Sequence, residues 1–134
     1  MRNFKTELKK EEVQMRLILD LQLSHATLFN ELKKGKDSNT TYLNNLKKVL
    51  ALGEAFEFDD FQLAISDAQE CEIPDMFNVL FDLAGNMYAS FHMDSISKEK
   101  RNKIYKTYVI GYLTLGVAYL DISMDEIMTV IVES

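Results

Sequence analysis

An internal repeat limits the possible folds of this chain more than any other feature. Residues 50–56, with the sequence Leu-Ala-Leu-Gly-Glu-Ala-Phe, return at residues 113–119 as Leu-Thr-Leu-Gly-Val-Ala-Tyr. Each copy is soon followed by a capping-box pattern between two apolar residues, at residues 58–63 and 122–127, which is typical of a helix start. The repeat therefore predicts two similar helical halves that are joined through matching helix–helix elbows.

Apolar residues recur at helical spacing along nearly the whole chain, and signals for strands are weak. The expected helices run from about Glu7 to Lys34, from Thr40 or Thr41 to about Phe56, from an Asp59 cap to near Glu70, from Pro74 onward, from a Ser97 cap through Leu120, and from a Ser123 cap to the end. We therefore predict one all-α domain over residues 1–134. It is a bundle of about six helices, long–long–short twice, with halves near residues 5–70 and 73–133 and a pseudo-two-fold relation between them.

Two glycines occupy matching places in the repeat and interrupt helical patterns. They are Gly53 and Gly116. A glycine inside a helix costs up to ~1 kcal/mol relative to alanine, so each needs a compensating role. We predict that each glycine allows a neighbouring helix to approach closely.

The composition excludes several classes of protein. Acidic residues number 21 against 15 Lys and Arg, which gives a net charge of −6. Direct binding to nucleic acid is not expected, because contacts to phosphate need clustered Lys and Arg. No apolar stretch approaches the ~20 residues of a membrane-spanning helix, and Cys71 stands alone, so no intrachain disulfide can form. We expect a cytoplasmic protein that does not insert into a membrane.

Two pairs of carboxylates have a spacing that puts both members on one helical face. They are Glu54 with Glu57, and Glu72 with Asp75. Two such pairs facing each other would form a site of hard oxygen ligands suited to Mg²⁺. Alternatively, the first pair points to solvent and the second favours the positive N-terminal end of the next helix. The sequence leaves both interpretations open.

The spacing of these pairs resembles the motif of the all-α nucleoside triphosphate pyrophosphatases, the group that contains MazG and the dimeric dUTPases. Here it reads Glu54-Ala55-Phe56-Glu57, fourteen residues, then Glu72-Ile73-Pro74-Asp75, continued by an apolar helix at residues 76–81. Residues 111–127 are similar to the end of the dimeric dUTPases, so the resemblance covers about residues 43–130. It implies oligomerisation and Mg²⁺-dependent cleavage between the α and β phosphates of a nucleotide, with the four carboxylates as metal ligands; otherwise no cofactor is expected.

A basic segment begins the expected fifth helix, and it contains Lys98, Lys100, Arg101, Lys103 and Lys106. In a pyrophosphatase, Lys98, Arg101 and Lys103 would bind phosphates. In a protein without this activity, the segment is the exposed start of a helix. Cations at a helix start are electrostatically unfavourable, which favours a functional role for them.

Tyrosines in the same helix form one stripe, at spacings of three, four and seven residues: Tyr105, Tyr108, Tyr112 and Tyr119. Methionines, including Met124 and Met128, are concentrated in the same half of the chain. Tyrosine and methionine are common at contact surfaces, although residues at helical spacing more often fill the core. We predict that another chain partly covers the tyrosine stripe, and we expect His25 to be a core residue rather than a metal ligand.

Three functions follow from these observations. The favoured one is a small acidic helical protein that regulates or inhibits by binding another protein, with self-association expected; such proteins are frequent on phages and mobile elements. The second is a Mg²⁺-dependent nucleoside triphosphate pyrophosphatase. The third is an acidic mimic of nucleic acid, in which carboxylates would line one extended face.

Overall fold

The computed structural model describes residues 4–58, 72–92 and 97–133, and the side chains within these ranges from residue 10 onward. In these ranges the chain is helical and contains no strand, which confirms the all-α class. The described residues form five α-helices, which are α1 (Phe4–Lys33), α2 (Asn39–Ala55), α3 (Ile73–Ala89), α4 (Lys98–Thr114) and α5 (Met124–Glu133). A 3-10 turn at Ser90–His92 follows α3, and a π-helical segment at Leu115–Tyr119 follows α4.

The predicted count of about six helices is one too many for the part of the chain that the structure describes. The sixth is the short helix predicted from Asp59 to near Glu70, which lies outside the described residues, as does Cys71. The order long–long–short is therefore seen complete only in the second half, where α3 and α4 have 17 residues each and α5 has 10.

The starts of α4 and α5 follow the predicted capping chemistry. The Ser97 hydroxyl accepts a hydrogen bond from the N–H of Lys100 at 3.2 Å. The Ser123 hydroxyl accepts one from the N–H of Glu126, also at 3.2 Å. Each bond satisfies a backbone donor that has no partner inside the helix, so both helix starts are determined locally.

The start of α2 differs from its prediction, because Thr40 and Thr41 lie inside the first turn rather than at the cap. The N-cap residue is Ser38, whose side chain makes no capping bond. The Asp37 carboxylate instead accepts a hydrogen bond from the N–H of Asn39 at 3.1 Å. Helical bonding therefore begins earlier than the threonines indicated.

The helices pack as two pairs. Helix α1 lies against α2 and α3 lies against α4, while contacts of α1 with α3 and of α5 with α2 join the pairs. Fully buried aliphatic side chains fill the space between them: Ile18, Leu21, Leu28, Leu46, Leu52, Leu80 and Met87. Burial of one such side chain stabilises a fold by about 1.5–3 kcal/mol, so this core fixes the relative positions of the helices.

Each glycine of the repeat is covered by a tyrosine from the opposite pair of helices. Tyr105 lies against Gly53, and Tyr42 lies against Gly116. Tyr105 donates a hydrogen bond to the carbonyl of Val49 at 2.8 Å, and Tyr42 donates one to the carbonyl of Tyr112 at the same distance. In both copies the accepting carbonyl lies one helical turn before the glycine. The spacing from Tyr42 to Gly53 along the chain also equals the spacing from Tyr105 to Gly116.

Neither glycine leaves room for a larger side chain. A Cβ at Gly53 would lie 2.8 Å from Cζ of Tyr105, and a Cβ at Gly116 would lie 2.8 Å from Cε1 of Tyr42, with each hydroxyl oxygen closer still. Both glycines thus lie in a close contact, as expected, but the approaching group at both places is a buried tyrosine ring rather than the backbone of a neighbouring helix.

The ends of the two elbows differ by one residue. Glu57 and Asp121 both have a left-handed backbone with φ of 57°. After α2, the N–H of Phe58 bonds to the carbonyl of Gly53 at 2.9 Å, which together with the left-handed residue forms a Schellman turn. After α4, the wider π-helical segment holds one residue more, so Asp121 lies one residue farther from its glycine. The extra residue explains why the capping-box pattern begins one residue later after Gly116 than after Gly53.

Candidate functional site

The structure does not bring the four predicted metal ligands together. Glu54 is exposed on α2. Glu57 lies just beyond the end of α2, where its carboxylate accepts a hydrogen bond from Nζ of Lys98 at 2.8 Å. The Lys98 ammonium, by this bond and by its charge, holds the pKa of the Glu57 carboxyl below its usual range. Of the first pair, Glu54 is thus an exposed carboxylate and Glu57 forms an ion pair with Lys98.

The second pair of carboxylates caps its own helix. The Glu72 side chain accepts a bond from the backbone of Asp75, and the Asp75 carboxylate accepts one from the N–H of Glu72 at 3.3 Å. This reciprocal box satisfies two backbone donors at the start of α3, which is the helix-start interpretation that the sequence left open. No group of three or more His, Cys, Asp or Glu that could hold a metal ion occurs among the described residues.

The three predicted phosphate-binding cations have separate surroundings. Lys98 pairs with Glu57. Nε of Arg101 donates to the Ser90 hydroxyl at 2.7 Å, and its guanidinium lies 4.0 Å above the ring centre of Phe91. Lys103 is exposed two residues further along the helix. The structure therefore gives two of these cations partners within the chain.

A polar cleft of about 270 Å³ lies where α1, the end of α2 and the start of α4 meet, and Lys98 and Arg101 line it. Lys10 also lines this cleft, together with the carboxylates of Glu11 and Glu57. Acids and bases are thus mixed along its walls. Partial burial lowers the pKa of Arg101, whereas the Glu11 charge acts in the opposite direction. The charge of the cleft is largely balanced from within, so it does not form a concentrated anion site.

The tyrosine stripe faces the interior of the chain. Tyr105, Tyr108 and Tyr112 are buried, and Tyr119 is half-buried. The interface interpretation is corrected for the first three, because their face of α4 is covered by the chain's own helices. The hydroxyl of Tyr112 donates to the carbonyl of Tyr42 at 2.6 Å, which returns the bond that Tyr42 makes to Tyr112. The two rings stack with centroids 4.5 Å apart.

His25 belongs to this buried aromatic cluster, as the sequence predicted for a core residue. Its side chain is fully buried, its Nε2 shares a hydrogen bond with the hydroxyl of Tyr108, and its ring stacks on Tyr112 with centroids 5.1 Å apart. Nδ1 has no hydrogen-bond partner. Burial, and to a smaller extent the Lys48 charge, lowers the pKa of His25 to about 4. The imidazole is therefore neutral at pH 7.

An apolar stripe on α5 is exposed and is not used by the core. Met124, Met128 and Val132 are 43%, 47% and 78% exposed. Their spacing of four residues places them on one helical face, while Ile127 and Val130 are buried on an adjoining face. The methionines were noted in the sequence as contact residues. Val132 was missed, although its spacing from them was a visible signal.

Two grooves run along the exposed side of α2. One, of about 360 Å³, lies between α2 and α5 and is lined by Lys47, Leu50, Ala51, Glu54, Val130 and Glu133. The other, of about 560 Å³, lies between α1 and α2 and is lined by Lys10, Val13, Gln14, Ala51, Glu54, Ala55 and Glu57. Ala51 and Glu54 border both grooves. At 100° per residue, Val130 and Glu133 lie on the opposite side of α5 from the centre of the apolar stripe, so the groove between α2 and α5 does not adjoin the stripe. We call the apolar stripe and the acidic residues of α5 that border it the α5 surface.

The charge of the α5 surface has one sign along the helix itself. Asp125, Glu126 and Glu133 lie on α5, which contains no Lys or Arg, and Asp121 lies three residues before its start. In the groove on the other side of α5, Lys47 and Glu54 contribute one charge of each sign. The apolar stripe is therefore bordered by acidic side chains of its own helix.

No helix in the described ranges combines the length and the apolar character needed to cross a membrane. Comparison of the chain with protein-family models, with curated proteins and with solved structures finds no match in any of the three.

Proposed function

We propose that this protein acts in the cytoplasm by binding another protein through the α5 surface, and that it regulates or inhibits its partner in this way. The apolar stripe on α5 carries the proposal. Burial of apolar area is the main favourable term in most protein–protein association, and contiguous exposed apolar residues are typical of interaction sites. Methionine adds adaptability, because its unbranched side chain fits irregular contacts.

The stripe is presented on a helix that its own chain holds firmly. Ile127 and Val130 of α5 are buried, with exposures of 0% and 8%, and α5 packs on α2. The Ser123 cap fixes the start of the helix. A binding face that is ordered before the partner arrives loses less conformational entropy on association, which supports α5 as a recognition element.

We further propose that the two halves are related by a pseudo-two-fold axis. Support comes from the matched contacts of Tyr42 with Gly116 and of Tyr105 with Gly53, and from the matched left-handed residues that end the elbows. In this arrangement the counterpart of α5 is the sixth helix that the sequence predicts at residues 59–70.

Two other functions have less support. In a Mg²⁺-dependent pyrophosphatase, Glu57, Glu72 and Asp75 would have to leave their ion pair and capping bonds before binding a metal. An acidic mimic of nucleic acid would need a continuous row of carboxylates, whereas the acids of α5 border an apolar stripe. The stripe favours a protein partner.

A pair of matched variants tests the proposed function. The first, Met128→Glu with Val132→Glu, places two charges on the stripe. The second, Leu23→Glu with Val79→Glu, adds the same charge at exposed apolar positions on α1 and α3 that are 70% and 50% exposed. We expect a protein from host lysate to be retained by the wild type and by the second variant but lost from the first. Equal retention by all three forms would refute the role of α5.

A further inference from the structure

The outer face of α5 has a chemical character that defines what can cover it, provided that the proposed binding role holds. At 100° per residue, Met124, Met128 and Val132 form a continuous arc with the half-buried Ile131, which adjoins the buried core face. The apolar arc of this helix is thus wider than the part that the described chain covers. Its uncovered part runs for about 12 Å along the helix axis, since each residue rises 1.5 Å.

The geometry of the stripe fits an amphipathic helix. Residues four apart on α5 form a ridge, made here by Met124, Met128 and Val132. A helix that places apolar residues at spacings of three and four can pack them on both sides of such a ridge. An uncovered length of about 12 Å corresponds to between two and three helical turns of the partner.

Acidic residues lie on the side of the stripe that faces away from the core. Asp125 lies next to Val132 around the helix, and Glu133 and Glu126 follow it in the same direction. Neither Lys nor Arg occurs on α5 to balance them, and the whole chain carries a net charge of −6. Complementary charge steers association and excludes wrong partners, so a helix docked here is favoured when basic residues flank its apolar face.

A second copy of this chain is the less favourable occupant. A two-fold contact between two α5 stripes would bring the acidic borders of both copies, including Asp125 and Glu133, close to each other. Like charges placed opposite one another oppose association. The acidic border therefore acts against self-association through α5 while it favours a basic partner.

We infer that the α5 surface binds an amphipathic helical segment of a partner protein that has an apolar face bordered by Lys and Arg. The apolar residues of this segment cover Met124, Met128 and Val132, and its cations lie near Asp125 and Glu133. Specificity then arises from charge, because the apolar stripe alone would accept any amphipathic helix.

Two synthetic 18-residue peptides, titrated against the full chain by fluorescence anisotropy, test the inference. Both have the same leucine face at helical spacing, and their polar positions are lysine in one and glutamate in the other. We expect the lysine peptide to bind at least tenfold more tightly than the glutamate peptide, with an affinity that falls as salt rises from 0.05 to 0.5 M. Equal binding of the two peptides, or tighter binding of the glutamate peptide, would overturn the inference.

A charge reversal on the protein gives the matched control. In the variant Asp125→Lys with Glu133→Lys, the preference is expected to reverse, so that the glutamate peptide binds more tightly. In Glu12→Lys with Asp82→Lys, which changes the net charge equally at exposed positions of α1 and α3, the preference for lysine is expected to persist. Melting temperatures verify that both variants fold. A preference that follows net charge in both variants would contradict a specific site on α5.

The outcomes separate this inference from the proposed function. If neither peptide binds while the glutamate substitutions at Met128 and Val132 still abolish capture of a protein from lysate, the binding role stands and the basic-helix inference falls. If light scattering shows a dimer that these substitutions convert to a monomer, a second copy covers the stripe and the inference is also overturned.

Discussion

Substitution of the two repeat glycines by alanine should be strongly destabilising, in contrast to the usual effect of this change within a helix. The added Cβ at Gly53 would lie 2.8 Å from Cζ of Tyr105, and Tyr105 cannot move away easily because the rings of Phe56 and Phe58 pack against it at 5.8 and 4.9 Å. At Gly116 the added Cβ meets Tyr42, whose ring is stacked on another tyrosine.

The expected magnitude follows from three terms. Overpacking of a closed core costs about 1–3 kcal/mol. Displacing the tyrosine hydroxyl from its carbonyl costs about 1–3 kcal/mol when the hydroxyl remains buried without another partner. The better helix propensity of alanine returns up to about 1 kcal/mol. We therefore expect Gly53→Ala and Gly116→Ala each to lower the free energy of unfolding by about 3 kcal/mol, which corresponds to a fall in Tm on the order of 10 °C.

Gly85 in α3 is the matched control, because a Cβ at this position would meet nothing within 4 Å. Urea denaturation followed by circular dichroism measures all three variants. Gly85→Ala should be neutral or stabilising by up to about 1 kcal/mol. If Gly53→Ala and Gly116→Ala were as stable as Gly85→Ala, the tyrosine–glycine contacts would not hold the halves together as described.

Further predictions concern protonation, backbone strain, hydrogen bonding and metal binding. The pKa of His25 in the folded chain is about 4, against an ordinary 6.5. Its neutral form therefore contributes stability that is complete above pH 6.5 and is lost as the pH falls towards 4, by about 3 kcal/mol in all. Urea titrations at pH 7 and pH 4 should show this loss, and His25→Gln should reduce it. Replacing the left-handed Glu57 or Asp121 by glycine should stabilise the chain by up to about 1 kcal/mol, and a lower urea midpoint would contradict the turn geometry. Tyr112→Phe should cost about 1 kcal/mol by removing the bond from the hydroxyl to the carbonyl of Tyr42, and an unchanged midpoint would argue against the reciprocal bonds. Adding 10 mM Mg²⁺ should leave Tm unchanged, since the predicted ligands are engaged elsewhere; a rise in Tm together with Mg²⁺-dependent release of pyrophosphate from nucleoside triphosphates would favour the enzyme instead.

Features of the fold that depend on neighbours in the chain were predictable from the sequence. The caps at Ser97 and Ser123, the break near Pro74 and the helical periodicity all arise within a few residues. The special role of Gly53 and Gly116 was also predictable, because the repeat showed a helix-weakening residue kept twice. The identity of the group that fills each gap was not, since the tyrosine arrives from a distant helix.

The candidate site shows the limits of the same reasoning. Spacing placed Tyr105, Tyr108 and Tyr112 on one face of α4, but it could not tell whether that face pointed inward; the burial of all three shows that it does. Similarly, a spacing of three placed the carboxylates of each pair on one face, but it did not determine whether the two helices would turn those faces towards each other. Such cross-helix relations depend on tertiary packing, which a local pattern does not contain.

The same limit applies to α5. Its apolar residues occupy a wide arc, and the sequence alone did not distinguish the covered part from the uncovered part. The structure separates them: Ile127 and Val130 are buried, whereas Met124, Met128 and Val132 are exposed. The candidate binding surface is therefore the part of the apolar face of α5 that the described chain leaves uncovered.

Amide hydrogen exchange of the full chain, alone and in complex with the protein that it captures, tests the central claim most directly. The account predicts slower exchange in the complex along α5, with little change on α3. Protection confined to the outer face of α1 or to the polar cleft at Lys98, with α5 unchanged, would contradict it.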